Sequence, residues 1–426
     1  MKKRLSKIFI VFLIFLLSGC IQEIDPLSGK KTYTLLSTQQ EISIGHQVIP
    51  SAINENDGLY PDREVQNYIR ELGAEISSVT PRKVDYQFYV VNSSQVNAFA
   101  LPGGPVFITR GIILKMDKES ELVGVLAHEL GHINARHHAK FLEKTYGTNI
   151  LLSILGIAIQ ESKYAGAVMS LAQVSAGILQ LKYSRDQENE ADTLGVRFSY
   201  QSGYDPRGLI SMFEKFKAME RGSSVEWLST HPLPETRIKN VQQMIATQYP
   251  DSYRLRQDSD RFQRIKSILK STDQSYVYVE QAKKYIKSRN YNEALDLLNR
   301  AIQIYGSNVA YTYRALVNLY LKRYNSAIDD SQKALELDSL YFLPMLIKGI
   351  ALNQTNQWNE SINTLERAKK LLKENPDTYY YLGVDYQAIG NRTKAIENLS
   401  TALELTDGKR GWEADAQRRL RILRGY

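Results

Sequence analysis

The 426-residue sequence has one cysteine, six histidines and only a short apolar run at its start. A single cysteine excludes a disulfide within the chain, and with it the class of small disulfide-stabilised scaffolds. The run from Ile8 to Leu17 has ten residues, about half of what a transmembrane helix needs. The net charge of +8 is modest, and no nucleic-acid-binding signature is present. The length predicts two or three domains.

The first twenty residues have the features of an export signal. Residues 1–7 are basic, the apolar run follows, and Leu17-Ser18-Gly19-Cys20 ends the segment. This ending resembles a bacterial lipobox, which predicts a signal peptide at 1–19, lipidation of Cys20 and a tether at 20–34. Because Ile21 rather than Asp follows the cysteine, we expect a periplasmic, outer-membrane location. An ordinary signal or an uncleaved anchor is the alternative.

The segment His128-Glu129-Leu130-Gly131-His132 has the pattern of a metal site. A spacing of four residues places both imidazoles on one face of a helix, one turn apart. Two such ligands can hold one Zn²⁺, and Glu129 can act as the general base. The alternative is a pair of histidines without a metal. We predict that the helix carrying them runs from Asp117 to about Lys144.

A third ligand is expected from elsewhere in the chain, since catalytic zinc usually has three protein ligands. Glu188 and Asp192 are four residues apart, so Glu188 can bind the metal while Asp192 orients an imidazole. A solvated acidic helix start is the alternative. His137 and His138 lie about 140° and 240° around the helix from His132, which predicts surface or interface roles.

The C-terminal part is repetitive. Small residues recur at steps of 33 or 34, and within each repeat they are 12 and then 7 residues apart. The first of them in the four repeats are Ala282, Ala315, Gly349 and Gly383. This pattern resembles the tetratricopeptide repeat, a helix–turn–helix unit. We predict four repeats at 275–408, a capping helix at 409–426 and a polar linker at 256–274.

Residues 35–255 are predicted to form the catalytic domain. Alternating and β-rich segments indicate strands near 85–91 and 106–109, and helical periodicity dominates the rest. Residues 150–181 form a Gly-, Ala- and Leu-rich stretch that we interpret as a buried helical hairpin, with membrane contact as the alternative. The fold class is therefore α+β and mostly α-helical, with an HExxH zincin metalloprotease domain before an α-solenoid.

Four motifs together resemble one family, the zinc metalloproteases that include the CAAX prenyl endopeptidases and the heat-shock protease HtpX. The motifs are NAFALPGG at 97–104, HELGH at 128–132, SRDQENEAD at 184–192 and HPLPETR at 231–237. The resemblance implies one Zn²⁺ bound by His128, His132 and Glu188, with Glu129 as base and Asp192 behind a ligand. It also places His231 in a loop that can reach the zinc, as a fourth ligand or gate.

These observations predict a zinc endopeptidase of the bacterial envelope that acts in quality control or assembly of outer-membrane proteins. Its polypeptide substrate would add as a strand beside Asn97, Ala98 and Phe99, because backbone pairing needs no particular side chain. Arg237 and Tyr183 are candidates for stabilising the oxyanion. The repeats would recruit unfolded or stalled clients, or the outer-membrane assembly machinery. The alternative is a chaperone or assembly factor in which proteolysis is secondary or latent.

Overall fold

A computed structural model gives the structure of the protein and describes residues 21–24, 29–159, 165–220 and 225–426. The predicted signal peptide and the lipidation site at Cys20 lie outside the described residues. The described part begins with an antiparallel pair, β1 (Ile21–Ile24) and β2 (Lys31–Thr34).

A three-stranded sheet lies at the centre of the first domain. Its strands are β3 (Gln87–Val91), β4 (Ala98–Ala100) and β5 (Pro105–Thr109), in the order β3-β5-β4. β5 is buried along its whole length and pairs parallel with β3 and antiparallel with β4. Among the described residues β4 therefore forms an edge of this sheet.

Ten helices surround the sheet in the described part of the first domain. They are α1 (Thr38–Glu55), α2 (Arg63–Ser78), α3 (Arg110–Lys115), α4 (Glu119–Asn134), α5 (His137–Ile159), α6 (Ala165–Leu179), α7 (Arg185–Gln201), α8 (Arg207–Glu220), α9 (Glu226–Thr230) and α10 (Glu235–Gln248). Every residue of α4 is buried, so this helix is the core element of the domain.

The predicted end of the metal-site helix is wrong. α4 ends at Asn134, and a new helix begins at His137 after Arg136 adopts a positive φ of 58°. The guanidinium of Arg136 donates to the Glu41 carboxylate at 3.1 Å and to the Leu36 carbonyl at 2.6 Å. This buried pairing stabilises a sharp turn that helical periodicity does not reveal.

The apolar stretch after α4 forms α5 and α6, and residues 160–164 between them lie outside the described part. Leu151, Ile154 and Val174 are buried in a cluster that also contains Ile44 of α1, in agreement with a packed hairpin. In the described part of the chain, no helix combines the length and the apolar character that a membrane crossing requires.

The stretch predicted as a linker is instead the first half of α11 (Asp260–Lys287), a helix of 28 residues. Phe262, Ile265 and Leu269 are fully buried and belong to the same apolar core as the protease helices. The stretch looked like a linker because its few apolar residues are spaced three and four apart, which is enough for one buried stripe.

The rest of the described chain consists of helix pairs closed by a last helix. The second half of α11 pairs with the first of the following helices: α12 (Tyr291–Ile304), α13 (Asn308–Tyr320), α14 (Tyr324–Leu337), α15 (Phe342–Gln354), α16 (Trp358–Leu371), α17 (Pro376–Ala388), α18 (Arg392–Leu405) and α19 (Glu413–Arg424). Small residues allow the close approach within pairs, since a Cβ added at Gly349 would lie 2.3 Å from Leu365. This is the α-solenoid that the repeat spacing predicts.

One turn of the first domain inserts between the repeats. Asp57 and Gly58 have positive φ values of 65° and 83°. The Asp57 carboxylate accepts from the Lys283 ammonium at 2.5 Å and from the Tyr313 hydroxyl at 2.9 Å. The Leu59 amide donates to an Asp338 carboxylate oxygen at 2.7 Å. Side chains of the first two repeats thus bind this turn.

Candidate metal centre

The two histidines of α4 point their Nε2 atoms at the same space. The Nε2 atoms of His128 and His132 are 3.1 Å apart, and both side chains are fully buried. The i, i+4 spacing on a regular helix accounts for this placement.

α7 brings the first carboxylate to the histidines. It begins in a capping box between Ser184 and Gln187, and it packs closely on α4 because both helices have glycines at the contact. A Cβ added at Gly131 would lie 2.7 Å from a carbonyl oxygen of α7. In this arrangement Glu188 Oε1 is 3.4 Å from His132 Nε2, and Oε2 is 3.7 Å from His128 Nε2.

His231, at the end of α9, supplies a fourth donor atom. Its Nδ1 lies 2.9 Å from Glu188 Oε1 and 3.3 Å from His128 Nε2. The ring stacks on Trp227, with centroids 4.4 Å apart and an interplanar angle of 12°. Donor atoms of His128, His132, Glu188 and His231 all lie within 4.8 Å of one another.

The separations between donors fit a tetrahedral metal ion. With metal–ligand bonds of about 2.0–2.1 Å, neighbouring donors of a tetrahedral zinc site are about 3.3 Å apart. The five separations between donor atoms given above run from 2.9 to 3.7 Å. Three imidazoles and one carboxylate are also a donor set that suits zinc.

Glu129 lies beside these donors and has an unusual environment. It is fully buried, its Oε1 accepts from Trp227 Nε1 at 3.3 Å, and it is 3.6 Å from His231 Nε2. Burial raises the pKa of its carboxyl above the ordinary value, although the nearby His231 and His128 work against this effect. Burial also opposes ionisation of Glu188, but the histidines around it hold its pKa well below the usual range.

A second layer of polar groups supports the donors. Asp192 Oδ1 lies 3.0 Å from His128 Nδ1, and Arg237 donates to both Asp192 oxygens at 2.8 and 2.7 Å. Arg237 also donates to the Pro232 carbonyl at 2.8 Å and contacts Glu188. With its guanidinium held in this way, Arg237 is placed to position side chains rather than to bind an oxyanion.

The predicted surface roles of His137 and His138 are wrong, because the turn at Arg136 redirects both side chains inward. His137 is fully buried and its Nδ1 is 2.8 Å from His132 Nδ1. His138 Nε2 is 2.9 Å from the hydroxyl of Tyr183, whose ring stacks on His132 at 3.7 Å. Burial lowers the pKa of His138 to about 3, so this imidazole is neutral.

Trp227 is the site residue that sequence reasoning missed. It contacts Glu129 and His231, and its backbone amide donates to the Val96 carbonyl at 3.1 Å beside β4. No spacing or charge pattern marked it, because a lone tryptophan in a short helix has no pattern to match.

A buried HExxH helix, a carboxylate from a second helix and a glutamate free of the donor set define a metallopeptidase. Residues 60–245, which include all four donors, match the family model described as Peptidase family M48.

Three known proteins are examples of what this chain is similar to. The Beta-barrel assembly-enhancing protease of Escherichia coli strain K12 is 26% identical over 407 residues, covering 92% of this chain and 79% of that protein. The mitochondrial metalloendopeptidase OMA1 of Schizosaccharomyces pombe is 28% identical over 258 residues, covering 58% and 73%. Among solved structures, MamA from Desulfovibrio magneticus is 20% identical with a TM-score of 0.33, covering 36% and 85%.

Proposed function

We propose that this protein is a zinc-dependent endopeptidase of the bacterial envelope that acts in quality control or assembly of outer-membrane β-barrel proteins. The observation that carries the proposal is the buried set of His128, His132 and Glu188 with Glu129 beside it. The match of residues 60–245 to the M48 family model supports the peptidase activity, and a relative named for β-barrel assembly supports the substrate class.

His128, His132 and Glu188 would hold the zinc, which when bound supplies a Lewis acid and lowers the pKa of water. Glu129 would take a proton from the attacking water at a carboxylate oxygen and return it to the leaving amine. Burial raises the pKa of Glu129. A raised pKa favours a carboxylate that must both take up and release a proton near neutral pH. Asp192 would keep the proton of His128 on Nδ1, so that Nε2 stays free for the metal.

The substrate would pair with the edge strand β4 at Asn97, Ala98 and Phe99. β5 pairs with one side of β4, and the backbone groups of alternate residues face away from it. On that outer side the Val96 carbonyl already accepts from the Trp227 amide. A substrate strand that extends along this edge would therefore meet the segment that carries His231.

His231 would occupy the fourth donor position in a resting state and leave when a client binds. Its separation of 2.9 Å from Glu188 and its 1% exposure support this arrangement. All four donors are at most 1% exposed. A substrate would therefore reach them only after the segment that carries His231 had moved. The same burial favours the second candidate function, a chaperone or assembly factor whose proteolysis is latent.

The test compares wild type with Glu129→Gln on an unfolded outer-membrane β-barrel protein, with zinc content measured in both. We expect Glu129→Gln to retain zinc and lose cleavage. His46→Ala, which changes an exposed histidine, is the control and should cleave like wild type. Full cleavage by Glu129→Gln would refute the peptidase mechanism. If this variant also restores envelope integrity in cells as well as wild type does, binding is the main function.

His231→Ala tests the resting state on the same substrate, again with zinc content measured. Higher basal cleavage supports the gate. Lower cleavage at equal zinc content indicates a catalytic role, and unchanged cleavage rejects both roles.

A further inference from the structure

The Nδ1 atom of His132 faces a polar chain that leads away from the metal site. His132 Nδ1 is 2.8 Å from His137 Nδ1, and His137 Nε2 is 3.1 Å from Glu190 Oε2. Both histidines are fully buried, and the Glu190 side chain is 22% exposed. The three groups thus connect the predicted metal ligand with the surface of α7.

Proton positions along this chain follow from chemistry. His132 Nε2 points at the other donors, so it must be unprotonated to bind a metal, and the proton of the neutral ring is on Nδ1. That N–H donates to His137 Nδ1, which must therefore be the acceptor. His137 then carries its own proton on Nε2 and donates it to the Glu190 carboxylate. Each donor in the chain has one acceptor.

We propose that His137 and Glu190 are positioning residues that orient His132 and strengthen its bond to the metal. A ligand histidine whose second nitrogen donates to a well-held acceptor has a fixed tautomer and a more basic metal-binding nitrogen. Here the acceptor is an imidazole, and the carboxylate of Glu190 holds that imidazole. His128 has a matching support in Asp192. The two α4 ligands are thus each oriented by a carboxylate of α7, one directly and one through His137.

The turn at Arg136 makes this contact possible. On a continued helix His137 would lie about 140° away from His132. The positive φ of Arg136 and its bond to Glu41 instead reverse the chain, and the first residue of α5 returns to the ligand. The bonds of the Arg136 guanidinium to the Glu41 carboxylate and the Leu36 carbonyl hold this left-handed conformation in place.

The test measures zinc affinity of the full-length, metal-free protein by competition with a chromogenic chelator. We expect His137→Ala to lower the affinity about 10- to 100-fold and Glu190→Gln about tenfold. His137→Asn should bind more tightly than His137→Ala, because the amide oxygen of asparagine can take the place of Nδ1 as acceptor. Asp186→Asn is the matched control, since it removes an exposed carboxylate from the same helix and should bind like wild type.

The visible spectrum of the Co²⁺-loaded proteins is a second readout that overall folding does not move. We expect the band positions of Glu190→Gln to differ from those of wild type and Asp186→Asn. If the zinc affinity of Glu190→Gln is within threefold of the wild-type value, the proposal is overturned, whether or not His137→Ala folds. The inference rests on the proposed zinc site, and failure of wild type itself to bind zinc would instead refute that site.

Discussion

Asp385 gives the sharpest test of the energetics of the repeats. Its carboxylate is fully buried between α15 and α16, where Oδ1 accepts from Asn353 Nδ2 at 2.6 Å and Oδ2 lies 2.5 Å from Ser361 Oγ. The Ser361 hydroxyl also lies 2.9 Å from the Gly349 carbonyl, and it has only one proton to donate. A proton on Asp385 would satisfy both contacts. In agreement, burial raises the pKa of Asp385 to about 6, although its two side-chain partners oppose the shift.

The sign of the effect follows from the raised pKa. Because the folded state binds this proton more tightly than the unfolded state, ionisation of Asp385 destabilises the fold. The penalty is absent well below pH 4, grows between pH 4 and 6, and is complete above pH 6. A shift from 3.8 to about 6 corresponds to about 3 kcal/mol at pH 7.5 and about 1 kcal/mol at pH 4.5.

Asp385→Asn removes the penalty and keeps the hydrogen bonds, since its amide can donate to Ser361 and accept from Asn353. We expect the substitution to raise the free energy of unfolding by about 2 kcal/mol more at pH 7.5 than at pH 4.5. Hydrogen exchange of α15 to α17 in metal-free protein measures the local free energy of opening at each pH. Asp329→Asn, an exposed position of the same array, is the control. An equal effect of Asp385→Asn at both pH values would refute the reasoning.

Four further experiments test other predictions. Glu188→Gln should reduce the zinc content below one ion per chain at matched folding, and wild-type content would remove this residue from the site. Arg237→Ala should lower the free energy of unfolding by about 3–5 kcal/mol, because it removes the one guanidinium that pairs with both buried carboxylates, Glu188 and Asp192, and thermal unfolding measures the loss. Gly58→Ala should destabilise the chain more than Gly203→Ala, since both have φ near +84° but only the Cβ at 58 meets repeat atoms, at 2.9 Å; equal shifts in unfolding temperature would contradict this. Mass spectrometry of the mature N-terminus should find a lipid-modified Cys20, and an unmodified cysteine or cleavage elsewhere would contradict the lipoprotein signal.

Sequence periodicity predicted those features that repeat within a single element or between copies of an element. The i, i+4 pairs in α4 and α7 depend only on helix geometry, and the structure brings His128, His132 and Glu188 together. The spacing of 33 or 34 likewise predicts the solenoid, because each small residue marks a helix contact. Both inferences need no knowledge of distant contacts.

Features that depend on tertiary contacts were beyond such reasoning. The end of α4 is determined by Glu41, nearly a hundred residues earlier in the chain, which pairs with Arg136. Extrapolating the helix past that turn placed His137 and His138 on the wrong side. Trp227 reaches the site because its short helix α9 is hydrogen-bonded to Val96, just before β4. α11 continues through a polar stretch because the protease core covers its one apolar stripe.

The contacts of the repeats change how recruitment of clients should be understood. In a stack of helix pairs, the first helix of each pair lines the concave surface that such arrays use for binding. Here Lys283 of α11 and Tyr313 of α13 hold Asp57 of the protease domain. The ammonium and hydroxyl groups that an acidic client segment would contact are therefore already used within the chain.

The other end of the array is covered in a similar way. Trp412 stacks on Tyr380 of α17 with centroids 4.7 Å apart, and its Nε1 donates to Asp377 at 2.7 Å. First helices at both ends of the array are thus bound by parts of the same chain. A client that bound to α11, α13 or α17, as proposed above, would have to displace one of these segments. Loss of the contact with Asp57 would also release the turn at Asp57 and Gly58, which is bonded to the end of β3 through Gly58 and Leu59. Client binding on the repeats would in this way be connected with the sheet beside the metal site.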